Sequence, residues 1–440
     1  MEQHHRELVD LLRKCNRCGY CQEVCPTYQV LQNEAAVARG RIQLVDLALG
    51  QPATLKADPD IASYLSSCLL CGSCVAACPS GVQTDWIIKL ARNAVLPLSP
   101  LDCAKRRLLR AVFGRRVNLY RLTALLRRSD LSRRLVALRT KPLASLAAGA
   151  SVLMGMERPP LGLGRRFPLR VEAPSGVDRR GAVVYFLGCS PDVFSPRTAR
   201  ATLQLLSRCG WEVWVPEVTC CGAPHQVAGD LEYARHLALR NLRALTEVAE
   251  GVRAQAIVSD CPTCVTTLMG YRRLLADATT SPPALLESLD RVEPALMEVS
   301  AFLARHGAGR PGTAERPPSP PGPPLTATYH DPCHLARGLG VTEEPRRLLA
   351  QVAHLVEMDD ADRCCGGAGS YGVFHPTWSR DVLAPKVAAI AATGASVVVT
   401  SCPSCVSQLN LGLLRACLPV RAVHITEFLT RGGGGAPAGR

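Results

Sequence analysis

Eight of the 21 cysteines fall in two copies of one spacing, Cys15-x2-Cys18-x2-Cys21-x3-Cys25-Pro26 and Cys68-x2-Cys71-x2-Cys74-x3-Cys78-Pro79. Three thiolates at this separation wrap a tight loop around three corners of a 4Fe-4S cubane, while the proline after the fourth turns the chain away. In such runs the fourth cysteine crosses to the other cluster. The expected ligand sets are therefore Cys15, Cys18, Cys21 and Cys78 for cluster one, and Cys68, Cys71, Cys74 and Cys25 for cluster two. Structural zinc instead pairs two Cys-x-x-Cys knuckles, and disulfides need an oxidising compartment. The chemistry expected is one-electron transfer.

Ten more cysteines repeat in a second pattern. Cys189, Cys220-Cys221-Gly222 and Cys261-Pro-Thr-Cys264 are matched by Cys333, Cys364-Cys365-Gly366 and Cys402-Pro-Ser-Cys405. Equivalent positions lie 144, 144 and 141 residues apart, so duplication is the economical explanation. Five cysteines are one more than a cubane needs. Bridging between irons, an open-form cluster and a spare redox-active thiol all satisfy the pattern.

The elements that must place these thiols alternate. In the first half, strand-like 182–188 leads to Cys189, a helical pattern covers 197–210, and strand-like 211–216 leads to Cys220. A long helical pattern over 232–250 then precedes strand-like 255–260 and Cys261. The second half repeats this with 326–331, 343–353, 354–358, 381–394 and 396–401. Short apolar strands between helices predict α/β units with parallel strands, and ligands gather beyond the carboxyl ends of such strands. Residues 1–95 read as a separate helical module, with apolar helical spacing in 64–74 and 85–95 around the second cysteine run.

A chain of 440 residues and +14 formal charge has room for several domains. Its basic residues concentrate between Lys105 and Arg180 with no interleaved aromatics or recognition motif, which argues against nucleic acid. Solvated helix faces are the expectation there, with a docking face for an acidic protein or anionic membrane as the competing one. The N-terminal sequence has no apolar signal core, so the protein is expected to be cytoplasmic with reduced thiols. The apolar stretch Leu143–Met156 falls short of the roughly 20 residues that span a bilayer.

Several residues beside the cysteines carry expectations of their own. His225, His330, His334 and His375 neighbour the second cysteine pattern and are expected to be polar neighbours rather than ligands. Asp260 and Asp331 directly precede ligand segments, where charge tuning and turn formation are both open. Cys209 and Cys417 sit in apolar helical sequence and read as small core residues, and Cys103 has no motif partner. The segment Gly367-Ala-Gly369-Ser-Tyr-Gly372 matches a dinucleotide fingerprint but lacks its strand and acidic context. A glycine turn that brings backbone amides to sulfur is expected instead.

The ten-cysteine pattern resembles the cysteine-rich CCG domain family, found in heterodisulfide reductase and in iron-sulfur subunits of glycolate and lactate oxidases. That resemblance implies a noncubane 4Fe-4S cluster on five cysteines, carried over to Cys189, Cys220, Cys221, Cys261 and Cys264, and to Cys333, Cys364, Cys365, Cys402 and Cys405. The module order, with CPTYQVLQNEAAVARGRIQLV, CPSGV and CCGGAGSYGVFHP, resembles the glycolate oxidase iron-sulfur subunit family over nearly the whole chain. The implied fold class is α/β with an N-terminal α-helical ferredoxin-like module and two duplicated CCG domains.

The expected divisions are 1–95 for the double 4Fe-4S module, 96–175 for a basic helical connector and 176–309 for the first CCG domain. A Pro/Gly-rich linker over 310–324 and a second CCG domain over 325–432 follow. The implied function is electron transfer from FAD on a 2-hydroxy-acid dehydrogenase subunit toward a respiratory acceptor, with peripheral membrane or quinone contact at the far end. No catalytic residue is assigned to this chain, which has no flavin motif or general-base constellation. Both Cys-Pro-x-Cys motifs are complete, which leaves lactate-type and heterodisulfide-type chemistry open, and a catalytic iron-sulfur oxidoreductase acting on a disulfide or quinone is the competing reading.

Overall fold

The apolar runs Gly181–Tyr185 and Val397–Thr400 form central strands of two separate sheets, each buried on both faces as parallel sheets require. A computed structural model describes residues 2–50, 58–95, 100–121, 167–275, 283–307, 325–369 and 371–432. The linker 310–324, the apolar stretch Leu143–Met156 and most of the basic connector lie outside the described residues.

The first sheet contains β1 (Arg170–Val171), β2 (Gly181–Tyr185), β3 (Trp211–Trp214), β4 (Ile257–Ser259) and β5 (Leu296–Glu298), in the order β1-β3-β2-β4-β5. Only β1 runs antiparallel. The second contains β6 (Thr326–His330), β7 (His354–Leu355), β8 (Val397–Thr400) and β9 (Arg421–His424), ordered β7-β6-β8-β9 and wholly parallel. Without β1, the two orders are the same, so the duplication seen in the cysteines extends to the sheets. The alternation of strand and helix missed β5 and β9, each of which closes its repeat at the sheet edge. Both are three or four residues long and run straight into a helix, Val299–His306 and Ile425–Thr430.

The two α/β units pack reciprocally. Helix Pro196–Arg208 of the first lies on Ile425–Thr430 of the second, and Val299–His306 of the first lies on Glu343–Leu349 of the second. One apolar core runs through the contact, joining Val183, Tyr185 and Phe302 to Ala327, Tyr329 and Phe428. Burying both first helices this way needs the two repeats together.

The N-terminal module is a set of short helices around its cysteine loops. The apolar spacing over 64–74 is not one helix: Pro59–Ser66 ends before Cys68, because Leu70 takes φ 53° and Gly72 takes φ 74° to curl the loop. The first loop repeats this backbone with Arg17 at φ 61° and Gly19 at φ 96°. Helix Thr84–Val95 carries the module onto the first α/β unit, so Leu65, Ile87 and Ile88 share a core with Val184, Leu237 and Leu268. Among the described residues, no helix is long and apolar enough to cross a membrane.

Part of the basic connector grips the chain itself. Arg110 on helix Pro100–Phe113 pairs with Asp230 at 2.6 Å and 2.7 Å, and Arg116 pairs with Asp192 at 2.9 Å. Arg106 donates to the Ala228 carbonyl at 3.3 Å. These three arginines are anchors on the first α/β unit rather than solvated helix-face charge.

Candidate iron-sulfur sites

The tight loops of the N-terminal module enclose two cavities. One is lined by Cys25, Cys68, Cys71 and Cys74, the other by Cys15, Cys18, Cys21 and Cys78, and Cys74 lines both. Cys25 reaches the first cavity because helix Pro26–Leu31 starts directly after it, with proline at its first position. All 21 cysteines are unbridged, although many thiols touch. Thiols gathered this closely without bonding to one another fit metal ligation.

Two arginines that the sequence reading passed over stand behind the Cys68 set. Arg41 is 1 % exposed and donates to Tyr64 O at 2.9 Å, Ser67 Oγ at 2.9 Å and Thr27 Oγ1 at 3.2 Å. Arg92, also 1 % exposed, donates to the carbonyls of Leu65, Ser66, Cys68 and Val227. Neither has a carboxylate partner among the described residues. Buried cations without an anion are costly, and a negatively charged group at the cavity offsets them. Burial pushes the Cys68 thiol up, opposed by the charges of Arg41 and Arg92. The signal available in the sequence was an arginine within one turn of the apolar stretch Ile87-Ile88-Lys89-Leu90-Ala91.

In each α/β unit the five cysteines meet beyond the carboxyl ends of the strands. Cys189 follows β2, Cys261 follows β4, and Cys264 sits in the first turn of helix Pro262–Met269. The sulfur of Cys220 lies beside those of Cys189 and Cys221, and that of Cys221 beside that of Cys264. In the second unit Cys364 touches Cys333 and Cys365, and Cys365 lies 3.5 Å from Cys405. Donation from neighbouring thiols holds Cys221 and Cys365, the second members of the adjacent pairs, well below the ordinary thiol range. The glycine after each pair takes positive φ, 95° at Gly222 and 75° at Gly366, and lets its amide donate back to Cys220 at 3.5 Å or Cys364 at 3.4 Å. Asn241, a further residue missed from sequence, fixes the first pair by donating to the Cys220 carbonyl at 2.9 Å.

The sites adjoin one another. Cys71 of the N-terminal module touches Cys364, and Cys261 touches Cys402 across the two α/β units. The thiols thus form one row, from the Cys68 set through the Cys333 set to the Cys189 set.

The remaining candidates separate by geometry. His225 packs on Tyr233 at 4.8 Å between ring centres, and His375 stacks on Trp378 at 5.1 Å. His334 lies between the units, its Nδ1 3.2 Å from Thr263 Oγ1 and 3.8 Å from Cys333 Sγ. His330 faces Cys365 and Cys405 directly. Asp260 turns from the cysteines to accept from Tyr185 and Thr202, and Asp331 is clasped by Arg346 at 2.8 Å and 3.0 Å. The turn after Cys365 does bring the Gly367 amide to its sulfur. Cys209 packs against the shared core, but Cys417 does not: it is exposed, at φ 53°, past the end of helix Pro403–Arg415, where the chain reverses.

A helical dicluster module joined to two α/β units with this cysteine arrangement defines the class of iron-sulfur proteins with duplicated CCG domains. The family model "4Fe-4S dicluster domain" matches residues 11–82, and "Cysteine-rich domain" matches 183–269 and 327–410. The chain is 30% identical over 437 residues to the probable glycolate oxidase iron-sulfur subunit of Bacillus subtilis, covering 96% of this chain and 94% of that protein. It is 28% identical over 423 residues to the glycolate oxidase iron-sulfur subunit of Escherichia coli, covering 93% of each. Lactate utilization protein A of Exiguobacterium is 29% identical over 259 residues, 57% of this chain and 97% of that protein. A crystal structure of a hypothetical protein from Helicobacter pylori superposes with a TM-score of 0.50 at 8% identity, over 99% of this chain and 74% of that one, a likeness of fold alone. The chain belongs to the glycolate oxidase iron-sulfur subunit family, and it is an oxidoreductase-associated iron-sulfur protein.

Cys25 lines the Cys68 cavity, so Cys25→Ser in the full chain is expected to remove roughly four irons and the electron-paramagnetic signal of that site. The Cys15 site should keep its signal. Loss of the Cys15 signal instead would overturn the crossover pairing.

Proposed function

We propose that the chain is the electron-transfer subunit of a flavin-dependent 2-hydroxy-acid dehydrogenase, with glycolate as the first substrate class and lactate as the second. An FAD-bearing partner oxidises the acid, and this subunit passes the electrons toward a respiratory acceptor. The single observation that carries the reading is the unbroken row of thiols joining the Cys68, Cys333 and Cys189 sets through Cys71–Cys364 and Cys261–Cys402. Similarity over nearly the full length of two glycolate oxidase subunits supports the substrate class.

In this proposal Cys15, Cys18, Cys21 and Cys78 hold one cubane, and Cys68, Cys71, Cys74 and Cys25 hold the other. Each CCG set of five cysteines holds a further iron-sulfur cluster. Bound there, such clusters supply one-electron transfer. The chain's own contribution is to bury the thiols, to aim the amides of Gly222 and Gly366 at sulfur, and to set the Arg41 and Arg92 charges behind Cys68. The proposed location is cytoplasmic, at the inner face of a membrane that carries the acceptor.

The pure iron-loaded chain is expected to give no glycolate-dependent dye reduction, and addition of the proposed FAD-bearing partner should restore the activity. Glycolate oxidation by the chain alone would overturn the proposal. Thiol–disulfide turnover by the chain alone would replace it with the disulfide-reducing alternative.

A further inference from the structure

The two CCG sites match in sulfur but differ in nitrogen. His330 ends β6 and is 1 % exposed, and neither ring nitrogen has a partner at hydrogen-bonding geometry. The nearby Ala361 carbonyl already accepts from the Asp331 amide at 3.0 Å. A ring nitrogen of His330 and the sulfurs of Cys365 and Cys405 all lie within 4.8 Å of one another. That separation suits three donors around one metal ion, since first-row metals such as zinc take imidazole nitrogen and thiolate sulfur at roughly 2.0–2.3 Å.

At the matched position, 144 residues earlier, the first repeat has Phe186, which is fully buried and offers no donor. A second substitution points the same way. Lys386 is buried beside Asp360 O and Met358 Sδ, close enough to Cys365 for their charges to interact, where the first repeat has the uncharged Asn241. An imidazole left buried and unpaired is penalised for its lost hydration, a penalty that a bound metal removes.

We propose that His330 is a nitrogen ligand of the iron-sulfur group at the second CCG site, beside Cys365 and Cys405, while the first site is ligated by sulfur alone. The inference rests on the reading that the Cys333 set holds such a group. Both sites keep five thiolates, so the neutral imidazole leaves the ligand charge equal, and the buried Lys386 cation is what makes the second site the readier electron acceptor. The two copies, alike in fold, then differ in the direction that electrons prefer.

The test uses the full iron-loaded chain grown with ring-15N histidine. Iron content per chain first establishes whether the CCG sites are filled; iron sufficient only for the two cubanes would defeat the underlying reading and the proposal with it. With the sites filled, pulsed electron-paramagnetic spectroscopy of the reduced protein is expected to show a strong 15N ring coupling. His330→Phe, which installs the residue of the first repeat, should abolish that coupling with iron retained. His334→Phe should leave the coupling in place. A filled second site without ring-nitrogen coupling in the wild-type chain would overturn the ligand assignment while leaving the cluster reading intact, and needs no variant to fold. Coupling that survives His330→Phe and disappears in His334→Phe would overturn it too.

Discussion

Cys364→Ser is expected to cut acceptor reduction by the assembled complex by roughly 10–100-fold or more, while the N-terminal module stays reducible by its flavoprotein. Cys364 is the meeting point of two ligand sets: its sulfur touches Cys71 on one side and Cys333 and Cys365 on the other. Serine offers a harder oxygen in place of a soft thiolate that iron-sulfur sites select. The Cys68, Cys71, Cys74 and Cys25 set is untouched by the change, so its signal should persist. The matched variant Cys220→Ser removes a sulfur that neighbours Cys189 and Cys221, both within its own set. It should therefore leave reduction of the second CCG site at its normal rate. Rapid-mixing spectroscopy of the two variants separates these outcomes; an equal slowing of second-site reduction in both would sink the ordering of the sites.

What was legible in the sequence is what chemistry writes into spacing. The Cys-x2-Cys-x2-Cys-x3-Cys-Pro runs declare their loops because three thiolates on one cubane need a tight, regular separation. The duplication was legible because Cys-Cys-Gly needs a glycine at positive φ, and Gly222 and Gly366 both adopt it. β5 and β9 were not legible, because Leu296–Glu298 and Arg421–His424 are too short for alternation to register and lead directly into helices. Cys417 misled because its neighbours are apolar, whereas its own backbone has already left the helix.

The contacts between sites left no trace at all. Cys71 and Cys364 are far apart in the chain, and only the packing of the module on both α/β units brings them together. His330 shows the intermediate case. Its difference from Phe186 could be read by aligning the repeats, but its direction, into the Cys365 and Cys405 pair rather than into solvent, is set by the strand that carries it.

Arg92→Met is expected to destabilise the chain by roughly 3–5 kcal/mol and to empty the Cys68 site, with a loss of roughly four irons per chain. Burial lowers the guanidinium pKa to about 10, so it is still charged at neutral pH. It donates at 2.7 Å and 3.0 Å to Leu65 O, 3.1 Å to Ser66 O, 2.7 Å to Cys68 O and 2.9 Å to Val227 O. Methionine fills much of the volume but supplies no donor, and each buried carbonyl left unpaired costs about 1–3 kcal/mol, partly recovered by relaxation. Arg92→Lys separates charge from shape. It keeps the cation but not the planar fork that reaches several carbonyls at once, so the iron should stay while the thermal midpoint still falls. If the arginine served only as a strut between Leu65 and Val227, the lysine and methionine variants would lose stability alike and both would keep their iron. If it offsets the negative charge of a group bound at Cys68, only methionine loses the iron. A cation buried this deeply with no carboxylate beside it among the described residues favours the second outcome, and iron content measured alongside thermal unfolding for the two variants decides between them.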